Sequence, residues 1–309
     1  MNWSPYYTGD GVPRDVELAP PPPWRTFPRR AMAKEFQPPA GLVDSVNAAL
    51  HLRRPLLVTG PAGSGKSTVI EQVADELKLG AVLRWHITSR SSLTDALYRY
   101  DALGRIHAQR LGQSGGVDDI APFMQLGPLG TALLPSDQPR ALLIDEVDKS
   151  DLDLPSDLLD VLERGEYEIP ELARYQDDVV SVRQWGGDEH HDIERGRVSC
   201  TQFPFIVMTS NGERDFPAAF LRRCIRYTMP APTAPLLRQM IMAHLQIDIE
   251  DEGPVKDLVE EFVARLDGGD SLAIDQLLNA VHVMCGTTVP DSSRRQYVVE
   301  LLMRELSRA

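Results

Sequence analysis

A glycine-rich octapeptide carries the clearest chemical signal in the sequence. Residues 60–67 read Gly-Pro-Ala-Gly-Ser-Gly-Lys-Ser and match the pattern G-x-x-x-x-G-K-[ST] at every position. Successive backbone N–H groups of such a turn form an anion site, and the N-terminus of the following helix adds its dipole. Lys66 is placed to reach the β- and γ-phosphates of a nucleotide, and the Ser67 hydroxyl can ligate Mg²⁺.

The chain on either side of residues 60–67 has the pattern that a phosphate site requires. The apolar run Pro55–Thr59 predicts a buried strand before the motif, and the amphipathic run Thr68–Leu77 predicts a helix after it. An ordinary glycine turn between a strand and a helix is the alternative, and the fit of both flanks disfavours it. We therefore predict that nine consecutive residues bind the nucleotide: Gly60, Pro61, Ala62, Gly63, Ser64, Gly65, Lys66, Ser67 and Thr68.

Two adjacent carboxylates follow a second apolar run. Residues 141–144 read Ala-Leu-Leu-Ile, which predicts a strand buried on both faces, and Asp145 and Glu146 come directly after it. Ligands of open α/β sheets bind at this end of a strand. Asp145 is placed there to hold Mg²⁺, and Glu146 to deprotonate a water that attacks the γ-phosphate. Two solvated acids at the end of a strand are the alternative interpretation.

Strand and helix patterns alternate around these motifs and must position them. We predict strands at 56–59, 81–87, 141–144, 205–209 and 225–229, and helices at 42–52, 69–79 and 92–110. The alternation predicts an α/β fold, a P-loop NTPase core with a parallel sheet and helices on both faces. Beyond residue 235 we predict helices without strands, at 236–245, 255–266, 271–284 and 292–307, which form a C-terminal helical lid domain.

The sequence divides into three segments on these patterns. An N-terminal arm at 1–40 is rich in proline and aromatic residues, and we expect it to pack on the core domain or on a neighbouring subunit. The nucleotide-binding α/β domain spans 41–230, and the helical lid domain spans 231–309. Within the second segment, residues 179–202 predict a hairpin insertion whose polar tip includes two adjacent histidines, His190 and His191.

Composition limits the partners and the compartment. The net charge of −13 disfavours a broad nucleic-acid face, because such binding depends on Lys and Arg neutralising phosphates. The sequence shows no apolar stretch long enough to span a bilayer and no signal-peptide pattern, so we expect no membrane insertion. Three cysteines without metal-ligand spacing suit a reducing compartment. We therefore expect a cytoplasmic protein.

The sequence resembles the AAA+ ATPases and, within them, the MoxR-like branch. Four stretches carry the resemblance: Gly60–Thr68, Leu142–Glu146, Phe203–Asn211 and Phe216–Arg223. The first two are shared by many NTPases, whereas the combination of all four in this order is more specific. The resemblance extends over about residues 40–290 and implies a protein that binds and hydrolyses ATP with Mg²⁺.

The resemblance also implies three catalytic positions beyond Glu146. Asn211 resembles the sensor residue whose amide contacts the γ-phosphate and the attacking water, although a turn-forming Asn before Gly212 is the alternative. Arg222 and Arg223 end a stretch that resembles the arginine-finger segment, in which a guanidinium from a neighbouring subunit stabilises the transition state. We favour Arg222 as the finger. Asp148, Lys149, Asp151 and Asp153 follow the acidic pair without an assigned role.

An arginine supplied by a neighbour implies a homo-oligomer, most simply a hexameric ring that remodels or matures an unidentified protein partner. Three other functions stay open: a nucleic-acid-directed motor or nuclease-coupled NTPase, a nucleotide-gated scaffold, and a small-molecule kinase. The acidic charge disfavours the first of these. The sequence departs from many relatives at one point, since residues 271–277 contain no arginine where a second sensor arginine is expected.

Overall fold

The computed structural model describes residues 6–7, 9–18, 20–26, 36–110, 119–245, 253–270, 272–285 and 292–304. The chain forms two compact units. The α/β unit comprises Phe36–Gly60 and Gly65–Met229, and the helical unit comprises Met1–Glu35, Pro61–Ser64 and Pro230–Ala309.

The α/β unit alternates helices and strands. Its helices are α1 Leu42–Leu52, α2 Thr68–Leu77, α3 Leu93–Leu97, α4 Ala102–Arg110, α5 Pro128–Ala132, α6 Leu154–Arg164, α7 Pro170–Ala173 and α8 Ala218–Leu221. Its strands are β1 Leu56–Thr59, β2 Leu83–His86, β3 Tyr98–Tyr100, β4 Met124–Leu126, β5 Ala141–Asp145, β6 Glu166–Glu168, β7 Val179–Arg183, β8 His190–Glu194, β9 Arg197–Ser199, β10 Phe205–Ser210 and β11 Ile225–Thr228.

A five-stranded parallel sheet forms the centre of this unit, with the strand order β11-β1-β10-β5-β2. The residues of β10 are buried throughout, as expected for a strand covered on both faces. Alternate residues of the central strands enter different apolar clusters, Leu142 and Ile144 on one face and Ala141 and Leu143 on the other. Helices α1 and α2 cover one face, and α5 and α6 cover the other. The predicted fold class is thus confirmed.

A second sheet of six strands has the order β3-β4-β7-β8-β9-β6. It contains the predicted hairpin, because β7 pairs with β8 in antiparallel register, with Val180 opposite Ile193. One feature differs from prediction, because His190 and His191 lie on β8 rather than in the tip. Trp185, after β7, donates its backbone N–H to the Thr131 hydroxyl at 2.9 Å.

The single helix predicted at 92–110 is wrong. The structure divides this stretch into α3, the strand β3 and α4. Residues of β3 pair with β4, with Tyr98 opposite Leu126, and the Tyr98 hydroxyl donates to Glu171 Oε2 at 2.8 Å. Strand pairing and this partly buried hydrogen bond override the helical preference of the segment, because tertiary contacts commonly outweigh local propensity.

The helical unit contains α9 Ala234–Leu245, α10 Pro254–Asp267, α11 Ile274–Cys285 and α12 Ser292–Leu302. Its core includes Leu237, Phe262 and Leu277, each with no exposed surface. Trp24, from a short 3₁₀ turn in the N-terminal segment, packs against this core and meets the His282 ring edge-on at 5.7 Å. Across the described residues, we find no helix long and apolar enough to cross a membrane. The last residues of the predicted helix at 292–307, from 305 onward, lie outside the described part.

Candidate nucleotide site

Three neighbouring strands of the parallel sheet bring the predicted site residues together. β10 lies between β1 and β5, with Leu56 opposite Val207 and Met208 opposite Ile144. Since the strands are parallel, their carboxyl ends meet at one edge of the sheet. The residues that follow these ends are the glycine-rich loop, the acidic pair and Asn211.

The glycine-rich loop adopts a backbone that side chains would obstruct. Gly60 has φ 146°, and a Cβ there would lie 2.8 Å from Cβ of Met229. Gly65 has φ 83°, and a Cβ there would lie 2.8 Å from the Phe36 ring. The Ser64 hydroxyl is buried and has no hydrogen-bond partner among the residues that the structure describes. An orphaned polar group and exposed backbone in a tight turn are features that fit a phosphate group.

Lys66 connects this loop to Asn211. Its side chain is buried, and Nζ donates to the Gly60 carbonyl at 2.8 Å and to Asn211 Oδ1 at 2.7 Å. Burial lowers the pKa of Lys66, and the negative charges of Asp145, Asp148 and Glu146 act in the opposite direction.

Asp145 accepts two hydroxyl hydrogen bonds at one oxygen. Ser67 Oγ donates to Oδ1 at 2.9 Å and Thr209 Oγ1 donates to the same atom at 2.6 Å. A carboxylate beside a hydroxyl is a donor set that suits Mg²⁺, which prefers oxygen ligands and retains waters or phosphate oxygens in its shell. Over the described ranges, no group of three or more His, Cys, Asp or Glu could hold a metal ion without such additional ligands.

Glu146 sits in a strained backbone conformation and has three polar neighbours. Its φ of 59° lies in the left-handed region, which is unfavourable for a residue with a Cβ. Lys149 Nζ donates to Oε2 at 2.8 Å, Asn211 Nδ2 donates to Oε1 at 3.4 Å, and His86 Nε2 lies 3.6 Å from Oε2. The hydrogen bond to Glu146 raises the pKa of Lys149.

Arg222 and Arg223 do not join this cluster. They precede β11, where the Ile225 N–H donates to the Pro55 carbonyl at 2.8 Å, so they lie at the opposite edge of the parallel sheet. Arg223 forms an ion pair with Glu163. The Arg222 side chain is exposed, and it makes no hydrogen bond or ion pair within the described part of the chain. The structure therefore separates both arginines from Glu146 of the same chain.

Besides Lys149 and His86, two residues of the site had no role in the sequence-based prediction, Thr209 and Asp148. Thr209 bonds Asp145 with its hydroxyl, which also accepts the Glu146 backbone N–H at 2.9 Å. Asp148 is buried beside Asn211. A signal existed for both, because Thr209 is a polar residue inside an apolar strand and Asp148 lies two residues after the acidic pair.

Two arginines that precede residues 271–277, where a second sensor arginine is expected, are engaged within the helical unit. Arg265 donates to Asp270 Oδ2 at 2.7 Å and to the Met303 carbonyl at 2.8 Å. Arg238 lies 3.5 Å from Glu260 Oε1. Neither contact reveals a nucleotide role.

Comparison with known families identifies the α/β unit. Residues 55–224, more than half of the chain, match the family described as the AAA domain (dynein-related subfamily). The chain belongs to this AAA family. The resemblance to AAA+ proteins is thus confirmed at the level of the family, and the MoxR-like branch stays a prediction. A search among curated proteins found no match to this AAA protein.

Solved structures similar to this AAA protein include NtrX from Brucella abortus. The NtrX complex with ADP is 15% identical with a TM-score of 0.43, and the alignment covers 84% of this chain and 54% of NtrX. The NtrX complex with ATP is 16% identical with a TM-score of 0.41, and the alignment covers 81% of this chain and 49% of NtrX. The chain therefore spans about half the length of these structures.

Proposed function

We propose that this AAA-family protein binds ATP with Mg²⁺ and hydrolyses it to ADP and phosphate. One observation carries the proposal: three adjacent strand ends bring Lys66, Asn211 and Glu146 into a continuous hydrogen-bonded cluster. Ser67 and Asp145 extend that cluster by their own hydrogen bond. An ammonium, an amide, a hydroxyl and two carboxylates beside a glycine-rich turn are the groups that phosphoryl transfer to water requires.

The proposed binding roles follow from the donors and acceptors present. The backbone of residues 60–68 and the Lys66 ammonium would hold the phosphates, and Ser67 and Asp145 would hold Mg²⁺. The metal would supply neutralisation of phosphate charge. Lys66 now bonds to the Gly60 carbonyl, so phosphate binding would exchange that carbonyl for a charged acceptor, which makes a stronger hydrogen bond.

Glu146 is the proposed general base. Its carboxylate would accept a proton from a water molecule while the water oxygen forms a bond to the γ-phosphorus, and the bond to the β–γ bridging oxygen would break. Asn211 would orient this water or the γ-phosphate, because its amide lies between Lys66 and Glu146. Lys149 donates a hydrogen bond to Oε2 of Glu146. To accept the proton, Glu146 would use its other oxygen or break this hydrogen bond.

Arg222 is the proposed trans-acting arginine. It is exposed and lies at the sheet edge opposite Glu146, so one chain does not complete its own site with it. A second copy that places Arg222 against the phosphates would join the subunits head to tail, and such contacts either close into rings or extend into filaments. We further propose a hexameric, MoxR-like ring that remodels a protein partner.

The test measures nucleotide binding by calorimetry and ATP turnover in the wild type, Lys66→Ala and Glu146→Gln. We expect Lys66→Ala to weaken binding by about tenfold or more, because a buried cation is lost. We expect Glu146→Gln to retain binding and to lose about a hundredfold in kcat, because a general base typically contributes that much. Glu76→Gln, an exposed change on α2, is the matched control. A folded wild type that takes up no nucleoside triphosphate would contradict the proposal.

A further inference from the structure

Two turns leave the adjacent strands β5 and β10 at the proposed ATP site. The first is the 3₁₀ turn Val147–Lys149, and the second spans residues 210–214. Asp148 lies in the first turn and is 4% exposed. A carboxylate buried to this extent is uncommon unless it is paired or hydrogen-bonded, so its contacts merit a functional account.

The Asp148 carboxylate holds the second turn by its backbone. Oδ2 accepts the N–H of Asn211 at 2.9 Å and the N–H of Glu213 at 3.1 Å. In the reverse direction, the Arg214 guanidinium donates to the Asp148 carbonyl at 2.9 Å and also to the Ser150 carbonyl. Hydrogen bonds to an ionised acceptor are stronger than neutral ones, so the two turns are fixed to each other from both sides.

The second carboxylate oxygen of Asp148, Oδ1, does not hold the backbone of the second turn. Oδ1 is buried and has no hydrogen-bond partner in the described portion of the chain. Burying a carboxylate costs free energy that its hydrogen bonds have to offset, and here those bonds are made through Oδ2 alone to the backbone of residues 211–213.

The backbone that Asp148 fixes carries the side chain at the centre of the site. From this backbone, Asn211 Oδ1 reaches Lys66 Nζ at 2.7 Å and Nδ2 reaches Glu146 Oε1 at 3.4 Å. We infer that Asp148 is a positioning residue for ATP hydrolysis, which acts by holding the Asn211 backbone so that the amide lies between Lys66 and Glu146. This inference rests on the proposed ATPase function.

The first experiment compares Asp148→Asn with the wild type in steady-state ATP hydrolysis. The amide retains the shape and one acceptor oxygen but loses the charge that strengthens both backbone hydrogen bonds. We expect kcat to fall by about tenfold and KM for ATP to change by less than about threefold, because a misplaced Asn211 affects the transition state more than ground-state binding. The control is Asp153→Asn, which neutralises an exposed acid with no side-chain cap bond. It should match the wild type.

A double-mutant cycle then separates positioning from a general structural role. In an Asn211→Ala background, Asp148→Asn should lower kcat by less than about twofold further, because the amide through which it acts is gone. If the tenfold loss persists in that background, or if Asp148→Asn hydrolyses ATP like the wild type, the inference is wrong.

A second variant covers the case in which Asp148→Asn does not fold. Arg214→Met leaves the carboxylate in place and removes the donor to the Asp148 and Ser150 carbonyls. Arg214→Met should also lower kcat, and the further loss should again be small when Asn211→Ala is already present. If the losses of the two changes add in the double variant, the inference is wrong. A wild type that does not hydrolyse ATP would refute the proposed function itself, and an active wild type with unaffected variants would refute the role of Asp148 alone.

Discussion

At the scale of single residues, the Thr209 hydroxyl contacts both acids of the site. It donates to Asp145 Oδ1 and accepts the backbone N–H of Glu146, which follows Asp145 in the chain. The residue is 1% exposed. One buried hydroxyl therefore fixes both the proposed metal ligand and the strained backbone of the proposed base. The backbone strain at Glu146 can persist only because contacts such as this one hold it.

Thr209→Val should distinguish the effect of these two hydrogen bonds from the effect of side-chain packing. Valine retains the shape but leaves the Glu146 N–H without its acceptor and Asp145 without one donor, at a cost typical of buried polar groups. We expect kcat for ATP to fall by about tenfold to a hundredfold, since misplacement of catalytic groups has effects of this size. The measurement is steady-state hydrolysis. Thr209→Ser keeps the hydroxyl and should retain most of the activity, and equal losses in both variants would contradict the argument.

Thr209 and Asp148 show why the roles of some site residues were not predicted from sequence, although both stand out as polar residues there. Lys66, Ser67 and Asp145 stand in patterns whose chemistry is local to a few residues. The contacts of Thr209 and Asp148 instead depend on β5 and β10 lying side by side. These strands are far apart in the chain, and the hydrogen bond from the Asn211 N–H to Asp148 joins residues 63 positions apart. Strand adjacency is a property of the topology, which short apolar runs in the sequence do not specify.

At the scale of elements, prediction succeeded where one pattern decided the structure. The bounds of α1 and β1 were predicted to the residue, because an amphipathic period and a short apolar run are unambiguous there. The stretch 92–110 failed because β3 pairs with β4, a strand that the sequence did not indicate. Most of the second sheet arises from such short strands of three residues, which are too brief to show a period.

Helices α3 and α5 pack closely at Gly130, so we expect a larger side chain there to destabilise the fold. A Cβ on Gly130 would lie 1.9 Å from the Leu97 carbonyl oxygen, so the backbone itself would have to move. We expect Gly130→Ala to destabilise the fold by about 1–3 kcal/mol, the usual range for overpacking. Denaturant unfolding measures the change. Gly187→Ala is the control, because the nearest atom to its Cβ would be 3.9 Å away. Equal stability of the two variants would show that α5 adjusts without cost.

At the scale of the whole molecule, our proposal divides the site between copies of the chain. The parallel sheet places Glu146 at one edge and Arg222 at the other, and Arg223 is engaged by Glu163. An arginine held by a carboxylate would have to break that ion pair before it could reach a phosphate. The exposed Arg222 has no such cost in the described structure, which makes it the better candidate for a contribution to a neighbouring site.

Mixing two inactive variants tests this division. Arg222→Ala keeps Glu146 but lacks the arginine, and Glu146→Gln keeps the arginine but lacks the base. In a mixed oligomer, some sites pair an intact Glu146 with an intact Arg222 from the neighbour, so ATP hydrolysis should return to a fraction of the wild-type rate. A trans arginine typically contributes about a thousandfold or more, so even partial recovery would be measurable.

The mixing experiment also distinguishes Arg222 from Arg223. Arg223→Ala removes the ion pair with Glu163, so we expect at most a modest loss of hydrolysis and therefore little to recover on mixing. Size measurements with a slowly hydrolysed ATP analogue would establish that oligomers form under the conditions of the assay. Mixed Arg222→Ala and Glu146→Gln oligomers that stay as inactive as their components would show that Arg222 does not act between subunits. A wild type that stays monomeric with the analogue yet hydrolyses ATP normally would refute the ring, since each chain would then complete its site unaided.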